Sequence, residues 1–304
     1  MKTRYPQAIL ISCEIPWDEH ENFLEEPFRL QVRHALDAGF RHVYTFGTAG
    51  EGYAVDNARF TRIAEVFREE TKRDGIHAQI GVIALSTLQF RERLRIAYDI
   101  GFREFQISLP SWGVLNDTEM LRFFVDVCSA FPDAHFLHYN LMRTKRLLTG
   151  ADYRRIADEV PNLVATKNTG TTVHGTMELL RNAGDIQHFL GEAMFPTGCL
   201  HGECSLLSSF GPLFPKRTRQ LFEYGVNKQW DKLFPYQAEY LKGVEEVIAP
   251  LRHQAVIDGA YDKTLVKLAG IPMPLRLLSP YQGFSEETYE ECKRILDEKY
   301  AHWL

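Results

Sequence analysis

The sequence predicts an α/β fold: a (β/α)8 barrel with a C-terminal three-helix extension. Three observations carry this expectation. Short β-like runs alternate with longer amphipathic runs eight times in roughly the first 225 residues. The connections between them are short, as parallel strands joined by right-handed helical crossovers require. From about Asn227 onward the β signal fades and three helical runs follow. Residues 1–225 are therefore expected to form the barrel, and residues 226–304 a helical region packed on it.

The first unit reads as a strand from Gln7 to Ser12 and a helix from about Asn22 to Ala38. In that helix Leu24, Phe28, Val32, Ala35 and Leu36 recur at helical spacing, and Gly39 stands where a terminating glycine belongs. His42 to Phe46 follows as strand, then a Gly-rich loop and a helix opened by Asp56. Ala78 to Ile83 is the third strand, with its helix capped at Ser86 or Thr87 and stopped by Gly101. Glu104 to Leu109 is the fourth, and Asp117 or Thr118 caps the helix after it. The remaining strands fall at His135 to Tyr139, Leu163 to Lys167, Ile186 to Leu190 and Glu203 to Leu207, with a helix at Pro215 to Tyr224. The last three helices are Trp230 to Ile248, Gln254 to Ala269 and Ser285 to Tyr300, with a Pro-rich crossing at Ile271-Pro272-Met273-Pro274 before the third.

Composition narrows the function classes. Of 304 residues, 45% are hydrophobic and 25% charged, which excludes disorder and collagen-like structure. Lys and Arg number 35 against 40 Asp and Glu, a net charge of −5, which argues against a nucleic-acid surface and a polybasic membrane patch. No apolar run approaches the ~20 residues of a membrane span. The basic start Met1-Lys2-Thr3-Arg4 leads into an apolar stretch, Ala8 to Cys13, too short for a secretory leader. Five scattered cysteines (Cys13, Cys128, Cys199, Cys204, Cys292) read as reduced thiols in a cytoplasmic protein. Cys199, His201 and Cys204 lack a second ligand pair at zinc spacing, so no metal is expected. Gly47, Gly50 and Gly52 do not make a dinucleotide fingerprint.

Chemistry in such barrels gathers where strands end and βα loops begin. Strand two ends in Gly47-Thr48-Ala49-Gly50-Glu51-Gly52, strand five in His138-Tyr139-Asn140, strand six in Thr166-Lys167-Asn168. Lys167 closes an apolar run and would project into the barrel mouth. Desolvation there lowers a lysine pKa and frees an amine that can attack a carbonyl; alternatively the side chain reaches solvent or pairs with a carboxylate. Tyr139 could carry protons, or be a core tyrosine tied to backbone. The glycine loop, with its N–H groups and the Thr48 hydroxyl, suits a carboxylate, or is only a turn.

Together these strand ends resemble the dihydrodipicolinate synthase / N-acetylneuraminate lyase family. The shared parts are Gly47-Thr48-Ala49-Gly50-Glu51, Tyr139-Asn140, and Lys167 about 28 residues later. The similarity runs on through Gly191, Cys204-Ser205 and the Ile271 to Arg276 crossing. It implies that Lys167 forms an imine with the C2 ketone of a 2-oxo acid, that Tyr139 shuttles protons, and that Thr48 with the Ala49 N–H holds the carboxylate. Gly191 and Cys204 would line the pocket through their backbones, and no cofactor would be needed. A homotetramer is implied as well.

Departures from the family pattern shape the functional expectation. Ala49 replaces a usual threonine, Leu109-Pro110-Ser111-Trp112-Gly113 replaces a Tyr-Tyr pair, and the proline expected after Tyr139-Asn140 is Met142. Arg143 is the nearest counterpart of the arginine that meets a substrate carboxylate, with Lys145 and Arg146 close by. Trp112 would face a sugar or aromatic substrate, or a neighbouring subunit. The expected activity is cleavage or condensation of a pyruvate–aldehyde aldol. The alternatives are dehydration of a 2-oxo-3-deoxy sugar acid through the same imine, or a non-catalytic 2-oxo acid binder.

Overall fold

The computed structural model describes residues 4–304; Met1, Lys2 and Thr3 of the basic start lie outside the described residues. Eight parallel strands close on themselves in chain order: β1 Ile9–Ser12, β2 His42–Thr45, β3 His77–Val82, β4 Glu104–Ile107, β5 His135–Asn140, β6 Leu163–Asn168, β7 Gln187–Gly191 and β8 Ser205–Ser208. β1 pairs with both β2 and β8, which completes the ring. The intervening helices are α1 Glu25–Asp37, α2 Asn57–Thr71, α3 Thr87–Ile100, α4 Asp117–Cys128, α5 Gly150–Glu159, α6 Val173–Ala183, α7 Phe195–His201 and α8 Pro215–Val226. Three more follow: α9 Trp230–Val247, α10 Asp258–Leu268 and α11 Glu286–Ile295. The sequence predicted this (β/α)8 barrel and its helical extension.

Local chemistry sets the boundaries. Asp56 caps α2 by accepting from the Arg59 N–H at 2.8 Å, and Ser86 caps α3 through the Gln89 N–H. Gly39 and Gly101 end α1 and α3 with φ of +91° and +110°. Several expected boundaries need correction: α1 starts at Glu25 rather than about Asn22, and β4 ends at Ile107 rather than Leu109. Asn116, not Asp117 or Thr118, caps α4, because with Glu119 it completes a reciprocal capping box. α10 starts at Asp258 rather than Gln254, because residues 254–257 run non-helically between the 3-10 turn Ala249–His253 and an extended Ile257. β8 starts at Ser205, two residues later than Glu203, which moves Cys204 out of the strand.

The barrel interior holds a layer built from Leu10, Tyr44, Leu137, Ala165, Phe189 and Leu207, floored by Tyr5. A larger apolar layer, including Phe28, Phe60, Phe67, Phe105 and Phe124, lies between the strands and helices of the first half. Another joins α7 and α8 to the last three helices through Phe195, Phe214, Tyr240 and Trp303. No helix among the described residues is long and apolar enough to cross a membrane. All five cysteines are unpaired and buried.

Candidate active site

Lys167 stands near the C-terminal end of β6, a strand buried along its whole length. Its register partner across the β5–β6 ladder is Tyr139. The side chain is 4% exposed, and Nζ lies 3.9 Å from the centre of the Tyr139 ring. Nζ donates a hydrogen bond to the Tyr44 hydroxyl at 2.7 Å. Among the described residues no carboxylate lies within ion-pairing distance of it, so its close partners are two phenols.

The expected fall in the Lys167 pKa is not what these surroundings produce. Burial pulls it down, but the oxygens of Tyr139, Tyr44 and Asp262 outweigh burial and hold it above the ordinary lysine value. The resting side chain is an ammonium, and something must take its proton before it can attack a carbonyl.

The loop after β2 supplies the neighbouring anion nest. It is bracketed by two residues in the left-handed region, Phe46 at φ 62° and Glu51 at φ 51°. Such a conformation is costly for a phenylalanine, and strain of this kind collects at ligand-binding loops. The loop closes by hydrogen bonds from Glu51 N to Thr48 O and from Gly52 N to Gly47 O. The Thr48 hydroxyl is buried and unpartnered, available to an incoming acceptor. A side chain at Gly47 would strike the Tyr44 ring at 2.8 Å, so the loop lies directly against that ring. Ala49 is buried, and its carbonyl lies so close to Gly259 that a Cβ there would meet it at 2.8 Å. The N-terminus of α10 thus rests on the loop.

Glu51 pins the loop in place. Its carboxylate accepts from Trp17 Nε1 at 2.9 Å, Lys263 Nζ at 2.5 Å and Leu278 N at 2.7 Å. Both side chains of the Glu51–Lys263 pair are fully buried.

The other predicted residues are distributed unevenly around this centre. Gly191 ends β7, and a Cβ built on it meets nothing within 4 Å, so this wall is open. Arg143 sits in a short 3-10 turn after β5 and makes a two-pronged ion pair with Asp258 of α10 at 3.0 Å. Tyr139 and Tyr53 are within electrostatic reach of its guanidinium. Lys145 and Arg146 face away, tied to the Trp112 and Leu115 carbonyls and to Asp117 and Asp152. Trp112 is 82% exposed on the loop after β4.

Cys204 is a correction. It precedes β8 at the N-terminal end of the barrel, opposite the mouth, and its carbonyl accepts from Gln7 Nε2 at 2.8 Å. Its thiol packs against Cys199 and Phe195. Ser208 and Ser209 occupy the mouth end of β8 instead, hydrogen-bonded to the buried Glu192 carboxylate. Among the described residues no group of three His, Cys, Asp or Glu side chains could hold a metal.

Three groups beside Lys167 escaped the sequence reading, Tyr44, Glu14 and Asp262, as did Tyr53, which stands near Glu51 and Arg143. Glu14 follows β1, is 1% exposed, and lies within electrostatic reach of Lys167, Lys263 and Glu51. Burial pushes its carboxyl up to about 7. Burial and Glu14 likewise raise the Asp262 carboxyl. One Glu14 oxygen and the hydroxyls of Ser12, Thr48 and Tyr53 are buried without a hydrogen-bond partner. Each such group costs about 1–3 kcal/mol, and their gathering between Lys167 and the loop after β2 is what an unfilled polar-ligand site presents. Asp258 and Asp262 stand one turn apart on α10 and Lys263 follows directly, a polar spacing that by itself does not place α10 against Lys167.

The profile of the dihydrodipicolinate synthetase family matches residues 6–299. N-acetylneuraminate lyase 2 of Escherichia coli O6:H1 is 19% identical over 293 residues, covering 96% of this chain and 93% of the relative. Two crystal structures share the fold. YagE of E. coli K12, a prophage protein of the dihydrodipicolinic acid synthase family solved with pyruvate, superposes with a TM-score of 0.85 at 17% identity, over 96% of this chain and 98% of its own. N-acetylneuraminate lyase of Fusobacterium nucleatum gives 0.84 at 16%, over 96% and 98%. The family match spans nearly the whole length of the eight-stranded barrel and its helical extension, and the chain belongs to the dihydrodipicolinate synthetase family.

Proposed function

We propose that this protein is a class I lyase in which Lys167 forms an imine with the C2 ketone of a 2-oxo acid, and which cleaves or condenses a pyruvate–aldehyde aldol. The observation that carries the reading is the buried Lys167 Nζ, set between two phenols and free of any close carboxylate among the described residues. The imine acts as an electron sink: when the C3–C4 bond breaks, its electron pair is delocalised as an enamine onto nitrogen. Tyr139, with its ring against Nζ, lies close enough to serve proton transfers there. The Thr48 hydroxyl and the loop N–H groups including that of Ala49 hold the carboxylate, while Gly191 leaves room for the substrate and Arg143 stands at the rim. The pyruvate bound to YagE is consistent with this substrate class.

A panel of 2-oxo-3-deoxy sugar acids tests the reaction. Release of pyruvate and an aldehyde supports cleavage; loss of water with the carbon chain intact shows dehydration instead. No turnover in either direction, together with pyruvate binding, returns the protein to a 2-oxo acid binder.

Two expectations attach to this reading. Thr48→Ala removes the free hydroxyl and raises the KM for the 2-oxo acid about tenfold with a small change in kcat, the loss of one hydrogen bond to a charged group. Steady-state kinetics check it; an unchanged KM removes Thr48 from the carboxylate site. The second concerns assembly. Leu88, Trp112 and Met142 are 77%, 82% and 70% exposed on consecutive elements after β3, β4 and β5. Apolar groups so grouped suit burial against a second copy of the chain, so we expect a homo-oligomer that Trp112→Asp weakens. Light scattering of both proteins decides, and a wild-type monomer contradicts the assignment.

A further inference from the structure

We infer that Tyr44 is a second catalytic phenol, which passes protons between the Lys167 amine and the Glu14 carboxyl by way of Ser12. The inference rests on Lys167 being the imine-forming residue and goes beyond it in naming how its proton is removed and returned.

The geometry places Tyr44 at the reacting nitrogen. Nζ of Lys167 donates to the Tyr44 oxygen at 2.7 Å, whereas Tyr139 offers Nζ its ring face. Because Tyr44 accepts from Nζ, its own hydrogen points elsewhere. The Tyr44 ring also packs under Gly47 of the anion loop. A 2-oxo acid with its carboxylate on that loop and its ketone at Nζ would span the Tyr44 hydroxyl.

Behind Tyr44 stands a route for the proton. Ser12 is the register partner of Tyr44 across the β1–β2 ladder. Its hydroxyl is near enough to steady the ionised forms of both Tyr44 and Glu14, yet it closes no hydrogen bond of normal geometry and is buried without a partner. One Glu14 oxygen is equally unpartnered. The groups facing Glu14 are Lys167 from β6, Tyr44 from β2, Glu51 from the loop after it, and Lys263 and Asp262 from α10. The Tyr44 phenol, pushed up to about 12 by burial, does not ionise near neutrality. It can yield its proton only while taking another, which is what a relay does.

The chemistry balances. An ammonium and a ketone give an iminium and water: of three hydrogens on nitrogen, one remains and two leave with the carbonyl oxygen. The Nζ lone pair forms the N–C2 bond, the π pair moves to oxygen, and that oxygen departs as water when the nitrogen pair closes the C=N bond. Tyr44 takes the first proton from Nζ, releasing its own through Ser12 to Glu14. After attack a second proton passes from the nitrogen to the alkoxide, and the flow then reverses, returning the proton on Glu14 through Ser12 and Tyr44 to the hydroxyl, which departs as water. Only ionised Glu14 can receive a proton, so imine formation accelerates as pH rises through about 7.

Rapid mixing of the full chain with pyruvate, quenched by borohydride at successive times and read by mass spectrometry, tests this. Tyr44→Phe keeps the ring and is expected to slow adduct formation on the order of 10²-fold or more. Glu14→Gln is expected to slow it as well and to erase the rise between pH 6 and 8, a signature that a packing role would not move. Adduct formation by Y44F at the wild-type rate overturns the role of Tyr44. An unaltered pH profile in E14Q overturns the relay even where Y44F does not fold. Absence of any wild-type adduct removes the imine reading and this inference with it, while a normal wild-type adduct with normal variants removes this inference alone.

Discussion

Lys167→Met yields a folded protein without lyase activity. The loss is expected to be at least on the order of 10³-fold in kcat, since no other group can form the covalent intermediate and the surrounding residues act as a unit with it. Stability is expected to hold or rise. Nζ carries its charge in a nearly dry site, and replacing a buried ion by an apolar chain of similar length is often neutral or stabilising. Activity assays beside thermal melts separate the two effects. An active K167M protein would refute the imine, and a collapsed one would mean that the lysine holds the barrel together.

Glu51→Ala has the largest expected cost in stability. The substitution leaves the Lys263 ammonium, the Trp17 indole N–H and the Leu278 N–H without their shared acceptor in a fully buried position. Uncompensated burial of one such charge costs about 3–5 kcal/mol, or roughly 10 °C in Tm for a chain of this size. The doubly substituted Glu51→Met, Lys263→Met protein is expected to recover much of it, because no charge remains stranded. Urea unfolding of wild type, E51A and the double variant checks both. An E51A protein as stable as wild type would mean that water already satisfies the pair. Since Glu51 also fixes the loop bearing Thr48 and Ala49, E51A should raise the KM for the 2-oxo acid.

These two substitutions mark how much of the molecule its sequence made legible. The barrel was readable because local signals agreed: caps at Asp56 and Ser86, glycines after α1 and α3, and apolar β runs between them. Where they disagreed, the boundary moved. Glu203 and Cys204 look like a strand start, but Arg4 and Gln7 hold their polar atoms at the barrel floor, and pairing begins at Ser205. Lys167 stood out as a charge closing an apolar run. Tyr44 did not, because a tyrosine in a short strand is an ordinary core residue and only closure of the barrel brings β2 across to β6. Glu14, Asp262 and Lys263 were hidden for a related reason. One follows β1 and two ride on α10, and no local pattern shows that such distant segments meet over the same lysine. The pKa of Lys167 illustrates the cost: judged from its own strand, burial alone predicts a fall, whereas its non-local neighbours reverse the sign.

Incubation with pyruvate and borohydride, followed by peptide mass spectrometry, tests whether Lys167 forms the imine. A single reduced pyruvoyl adduct on Lys167, absent from K167M, is the expected result. No adduct, or an adduct on another lysine such as Lys263, would contradict it.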